Sequence, residues 1–284
     1  MESRDLRIFY IVAQEKNITK ASIRLGYVQS NVSARIQHLE SEVNTPLFYR
    51  SKKGMVLTHA GETLFKYAQQ ILHLIDEAAK SVQYTETPSG PLALGSPETT
   101  ASVHLPKLLQ KYHKKYPEVR LSLITGHPYE LLQKVLDYQL DGAFVNGPVD
   151  HPDIEHILTF EEELVLVSNK KEKDIHDLIK EPVLFLGSGC SMRARLEKWF
   201  EEEGMGTENI MEFGTLEAIL GGVSAGLGVS LLPKSSIARI EEQGIIRSFP
   251  IPEHYRQFNV CFIYRKDLFK TRALEKFLES LKAI

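Results

Sequence analysis

Gln29, Ser30, Asn31, Ser33 and Arg35 stand together in one short stretch and carry side chains that hydrogen-bond nucleic-acid base edges. Gln and Asn can bond adenine through two atoms, and Arg can do the same with guanine. Val32, Ile36, Leu39 and Val43 recur beside them at the three- and four-residue steps of one helical face. Ser30, Asn31 and Ala34 fall opposite that stripe, so they are free to meet a partner. Shortly after come Arg50, Lys52 and Lys53. These suit phosphate oxygens, contacts that position a protein on a duplex but carry no sequence information.

A second set of residues suits a small anion. Ser96, Thr99 and Thr100 lie in one loop, and Ser188, Gly189, Cys190 and Ser191 in another, each between an apolar run and a helical pattern. Free N–H groups and the helix dipole favour negative charge there. Thr125 and Asn146 end two further apolar runs and should line the same cleft. Glu98 sits in the first loop and would repel an anion unless paired or turned away.

Other chemistry is weakly supported. Gly189-Cys190-Ser191-Met192-Arg193 lacks the final glycine of a nucleophile elbow, and no P-loop is present. The ten histidines and two cysteines show no metal-ligand spacing, so neither a metal nor another cofactor is expected. His104 stands beside Leu105 and Leu108 as a satisfied core histidine. Cys190 at a helix start invites a redox role, but Cys261 falls in an apolar strand at 260–264. The glycines at 221–222, 226 and 228 do not form a dinucleotide loop and suit close helix–strand packing.

The elements that position these groups follow from periodicity and breakers. Leu6, Phe9, Tyr10 and Ala13 mark a first helix. A short second helix over 19–25 ends at Gly26, and the stripe from Val32 begins a third that Pro46 stops. Two apolar runs around the basic tip read as a hairpin, giving a winged helix-turn-helix. From 60 to 83, Leu64, Ala68, Ile71, Ile75, Ala78 and Val82 form a heptad seam fit for dimerisation. Thr85 to Pro91 is a hinge. Strands at 92–95, 119–124, 143–146, 163–168 and 183–186 then alternate with helical patterns, among them 103–116 and 129–138. That alternation implies α/β lobes of doubly wound, largely parallel sheet. The expected division is a DNA-binding domain at 1–58, a linker helix and hinge at 59–87, and an effector domain at 88–284. Its first lobe covers about 88–160 and 265–284, and its second about 161–264.

Several of these motifs resemble LysR-type transcriptional regulators. In the head they are Ala21-Ser-Ile-Arg-Leu25, Gln29, Val32-Ser33, Ile36, Leu39-Glu40, Leu47-Phe48-Tyr49-Arg50 and Val56 to Gly61. In the body they are Leu105-Pro106, Tyr116 to Val119, Leu140 to Ala143, Ala225 to Val229 and Leu232-Pro233. The chain departs from the common pattern at Val28 and Ser30, where the family often has Ser and Pro. The resemblance implies a periplasmic-binding-protein-like effector domain with its inducer site between the lobes. It also implies binding to double-stranded promoter DNA and assembly as a homotetramer, a dimer of dimers joined through residues 59–84. An inverted-repeat operator is expected from the two-fold symmetry.

Composition fits this division. Hydrophobic residues are 43% and charged residues 25%, and the net charge of −3 is a sum over unlike parts. Residues 1–60 carry +4 and the remainder −7, so a basic head precedes an acidic body. Two distant cysteines, no leading apolar signal and no long apolar run point to a cytoplasmic protein without a membrane segment. An enzyme or a small-molecule-binding protein on the same two-lobed body is the competing expectation.

Overall fold

The structure is a computed structural model that describes residues 1–51, 54–82, 87–169, 174–187, 191–204 and 209–283. The chain divides into two compact units, Met1–Tyr84 and Thr85–Ile284.

In the first unit, α1 (Ser3–Glu15) buries Leu6, Ile8, Phe9, Val12 and Ala13. The Asn17 side chain caps α2 (Ile18–Leu25) by accepting the Lys20 N–H at 3.0 Å. Gly26, at φ 68°, ends it with the left-handed turn that leads into α3 (Gln29–Glu42). α3 buries Val32, Ile36 and Leu39 against α1 and α2. Truncating a buried side chain of this size typically costs ~2–5 kcal/mol, so this core holds the orientation of α3. The Glu40 carboxylate then accepts the N–H groups of Leu47 (2.8 Å) and Phe48 (3.2 Å), fixing the entry to the hairpin.

β1 (Phe48–Ser51) pairs antiparallel with β2 (Gly54–Leu57), as the basic-tipped hairpin expected from the sequence. Its root is tied to the α1–α2 corner, where Met55 N–H donates to Lys16 O at 2.9 Å. A Cβ on Gly54 would lie 2.4 Å from that same oxygen, and the φ there is +118°, so the position requires glycine. α4 (His59–Val82) follows. Its seam serves two purposes. Ala68 and Leu72 are buried in the head core, and Phe65 stacks on Tyr10 at 5.0 Å. Further on, Leu74 is 57% and Ile75 41% exposed.

In the second unit, β3 (Gly90–Ser96) pairs in parallel with β4 (Val119–Thr125) and β5 (Gly142–Asn146). Between them run α5 (Glu98–Val103), α6 (Leu105–Lys115) and α7 (Pro128–Leu136). The helix expected over 103–116 is α6, and a separate short helix, α5, precedes it and meets it at His104. β6 (Ile154–Ser168) then leaves this lobe for the second one. There lie α8 (Ile175–Leu178), β7 (Val183–Leu186), α9 (Ser191–Glu202), β8 (Ile210–Phe213), α10 (Leu216–Ser224), β9 (Ser230–Pro233), α11 (Lys234–Glu242), β10 (Arg247–Pro250) and α12 (Glu253–Arg256). β11 (Gln257–Arg265) returns the chain, and α13 (Arg272–Leu281) closes the first lobe.

Each lobe's sheet is covered on both faces. In the first, α6 and α13 pack one face around Phe144, Phe262 and Phe277, and α7 packs the other with Leu131 and Val135. In the second, Leu196, Trp199 and Phe200 of α9 oppose Ile219, Val223 and Ile237 of α10 and α11. β7 and β8 are parallel. The two long strands β6 and β11 cross between the lobes and are antiparallel, which a reading of largely parallel sheets did not contain. Their register slips where Val260 faces Phe160 but Cys261 faces Leu158, leaving Thr159 as a bulge at the crossing. The expected close packing of glycine is seen at Gly228, where a Cβ would lie 2.1 Å from Pro182 O.

Candidate nucleic-acid interface and ligand cleft

The first turn of α3 is open. Val28 precedes it without a side-chain cap, and Gln29, Ser30 and Asn31 are exposed. The Thr19 hydroxyl donates to Gln29 Oε1 at 3.2 Å, so α2 orients the leading side chain of α3. Ser33 is half-buried on the flank of the helix. Ile23 and Val28 are 77% and 68% exposed beside them, which adds an apolar rim that the sequence reading had not singled out. Exposed Ile and Val at a helix-turn-helix corner were the available signal.

Arg35 is placed differently from expectation. Its Nη1 lies 3.2 Å from Asp5 Oδ1 and 3.8 Å from Glu2 Oε2, and Asp5 is fully buried. A buried carboxylate needs a counter-charge, and Arg35 supplies it, so its guanidinium is turned towards α1. Nearby, the Met1 amine donates to Glu42 at 2.7 Å. That bond raises the amine's pKa and lowers that of Glu42. Asp5, His38 and Glu42 bring possible metal-ligand atoms within 4.8 Å of one another, yet cations of the chain itself already face both carboxylates. In the wing, Arg50 lies on β1, with its side chain outside the described set; Lys52 and Lys53 lie outside the described residues altogether.

The second site lies where strands from both lobes end. The carboxyl ends of β3, β4 and β5 face those of β7 and β8 across a cavity of about 290 Å³. Thr99, Thr125 and Asn146 line it, as expected. Ser96 and Thr100 do not. Ser96 is fully buried and donates to Pro97 O at 3.0 Å, and Thr100 is buried on α5 without lining the cavity. Ser188, Gly189 and Cys190 fall outside the described residues, as does the side chain of Ser191. His127, Met192 and Phe213 line the cavity without having been anticipated. His127, directly after the strand-ending Gly126, was within reach of the same strand-end reasoning.

Glu98 also lines this cavity, and among the described residues it is neither free nor paired with a cation. Its Oε1 accepts the backbone N–H of Leu216 at 3.0 Å, at the start of α10 in the opposite lobe. Outside the cleft, a groove of about 520 Å³ between α6 and α13 carries Lys107, Lys111, Lys115 and Lys276. These four lysines share one groove, whereas no Lys or Arg among the described residues lines the cleft. At the lobe crossing, His104 stacks on Phe160 at 4.2 Å and pairs with the Glu162 carboxylate, which also accepts from Ser235 Oγ at 2.6 Å. Burial pushes the Cys261 thiol pKa up, which leaves it less reactive.

Known families match both units. Residues 3–62 match the bacterial regulatory helix-turn-helix protein of the lysR family, and residues 85–284 match the LysR substrate binding domain. The chain belongs to the LysR family. It is 49% identical over 284 residues, all of this chain and 99% of the relative, to the HTH-type transcriptional regulator YofA of Bacillus velezensis. It is 45% identical over 280 residues, 98% of this chain and 95% of the relative, to the HTH-type transcriptional regulator GltR of Bacillus subtilis. Among solved structures, full-length OxyR of Pseudomonas aeruginosa superposes with a TM-score of 0.77 at 25% identity, covering 99% of this chain and 95% of that one. Full-length CbnR in complex with its target DNA gives a TM-score of 0.71 at 25% identity, covering 100% and 99%. This LysR-type protein is therefore a DNA-binding transcriptional regulator with an effector-binding domain, and its two-lobed body serves regulation rather than catalysis. No helix among its described residues is long and apolar enough to cross a membrane.

Proposed function

We propose that this regulator reads an inverted-repeat promoter site with the first turn of α3 and responds to a small metabolite held between its two lobes. The carrying observation is that Gln29, Ser30 and Asn31 are exposed opposite the fully buried stripe Val32, Ile36 and Leu39. These three, with Ser33, meet base edges in the major groove. Arg35 holds the head together through Asp5 rather than reading guanine. Arg50, Lys52 and Lys53 neutralise phosphates on either side.

Two copies join through residues 59–84, where exposed Leu74 and Ile75 extend the heptad seam beyond the head core. Two such dimers form the tetramer. The working division keeps 1–58 as head, 59–87 as linker and 88–284 as effector domain, in a protein of the cytoplasm. Ligand shifts the balance between lobe arrangements only in proportion to its differential affinity for them. Binding titrations with the Asn31→Ala variant test the reading. Affinity for the promoter should fall by about tenfold or more while affinity for random duplex stays unchanged. Equal losses on both DNAs would remove Asn31 from base recognition.

A further inference from the structure

The effector cleft is acidic rather than basic. Among the described residues lining it, Glu98 and His127 are the ionisable ones, and no Lys or Arg contributes.

Glu98 is half-buried and holds one hydrogen bond, from a backbone N–H across the cleft. A carboxylate accepts up to about four, so capacity remains for a ligand in the cavity that it lines. A ligand bearing only negative charge would meet the Glu98 carboxylate with no opposing lysine or arginine among the described lining residues. A protonated amine would meet its counter-charge there, and desolvated charge pairs of this kind are strong contributors to affinity.

We propose that the effector carries a protonated amine that pairs with Glu98, as in a small amino acid or an amine-bearing acid. The inference rests on the cleft being the effector site. Thr125 and Asn146 are neutral and serve the ligand's remaining polar groups. Because Glu98 also binds Leu216 N–H of the other lobe, an amine arriving at it acts directly on the link between lobes.

The test uses the full chain and matched probes: the common amino acids, and the same carboxylic acids lacking the amine. Thermal shift screens both sets, and calorimetry measures the hits. The expected result is that at least one amino acid binds, that its amine-free partner binds at least about tenfold more weakly, and that Glu98→Gln loses about tenfold for the amino acid alone. Equal or tighter binding of amine-free acids overturns the inference, and so does silence from the whole amino-acid set. Gly187→Trp separates this from the cleft reading, because a Cβ there meets open space and a large side chain fills the cavity. Amine-free acids that bind wild type but not Gly187→Trp would end the amine proposal and keep the cleft. Any probe whose binding survives Gly187→Trp lies elsewhere, and the cleft reading fails with it.

Discussion

Asp5 and Glu98 are both carboxylates at junctions between helices, and the chain treats them in opposite ways. Asp5 is fully buried and faces the Arg35 guanidinium at 3.2 Å. Glu98 is half-buried and faces one backbone N–H at 3.0 Å. A charge enclosed by the protein must be neutralised by the protein, because the cost of burying it alone runs to several kcal/mol. A charge left against a cavity can wait for a ligand, because water solvates it meanwhile. The head has thus used its central arginine for structure, which on the proposed reading leaves base recognition to the uncharged Gln29, Ser30 and Asn31. The cleft holds a carboxylate that the amine proposal assigns to recognition.

The largest consequence concerns Arg35. Arg35→Ala strands the Asp5 carboxylate and should destabilise the head by about 3 kcal/mol, seen as a lower urea midpoint for the first unit's unfolding. The added Asp5→Asn change should recover part of that loss. A cost below about 1 kcal/mol, or no recovery, would erase the contrast between the two carboxylates. Glu98→Ala comes next. Removing the acceptor of one half-buried N–H should cost about 0.5–1.5 kcal/mol in the second unit's unfolding. A loss as large as that at Arg35 would make Glu98 a structural residue.

A third carboxylate calibrates the scale. Asp267 is pulled down to a pKa of about 2 from its usual 3.8, first by its hydrogen bond to Arg265. Both guanidinium contacts are short, at 2.7 and 2.8 Å, and the Tyr138 hydroxyl donates at 2.8 Å. A depressed folded pKa means stability that is present above about pH 4 and lost as pH falls towards 2. The Asp267 side chain is 55% exposed, so the screened effect should stay below about 1 kcal/mol. Unfolding curves of wild type and Asp267→Asn should differ near neutral pH and converge near pH 2. Curves that stay parallel throughout would remove the ion pair from the ledger.

Much of the head was legible because its signals are local. Asn17, Gly26 and Pro46 punctuate helices whose apolar stripes repeat cleanly. The role of Arg35 was not, because its partner Asp5 lies thirty residues away and a charged residue on a first helix reads as exposed. In the body, the parallel strands announced themselves as apolar runs. The lobe-crossing half of β6 did not, because Glu155, Glu161 and Glu163 interrupt it and its partner β11 comes about a hundred residues later. In the cleft, the placing of Thr125 and Asn146 followed from strand ends, and that of Thr99 from the loop expected between the first strand and its helix. Ser96, the last residue of β3, and Thr100, on α5, are buried away from the cavity lining, because sequence alone does not say which side of a strand end or short helix faces a cleft. The turn of Glu98 onto α10 could be posed as a question but not answered, since it depends on how the two lobes meet.

The most direct measurement is a nuclease footprint of the full chain on the DNA upstream of its own gene, with wild type and Asn31→Ala side by side. Wild type should protect two half-sites with centres about one helical turn apart. Asn31→Ala, unfolding at the same temperature, should lose that pattern at the same concentration. Protection that survives in Asn31→Ala, or that lacks two-fold spacing in wild type, would contradict recognition by paired α3 helices.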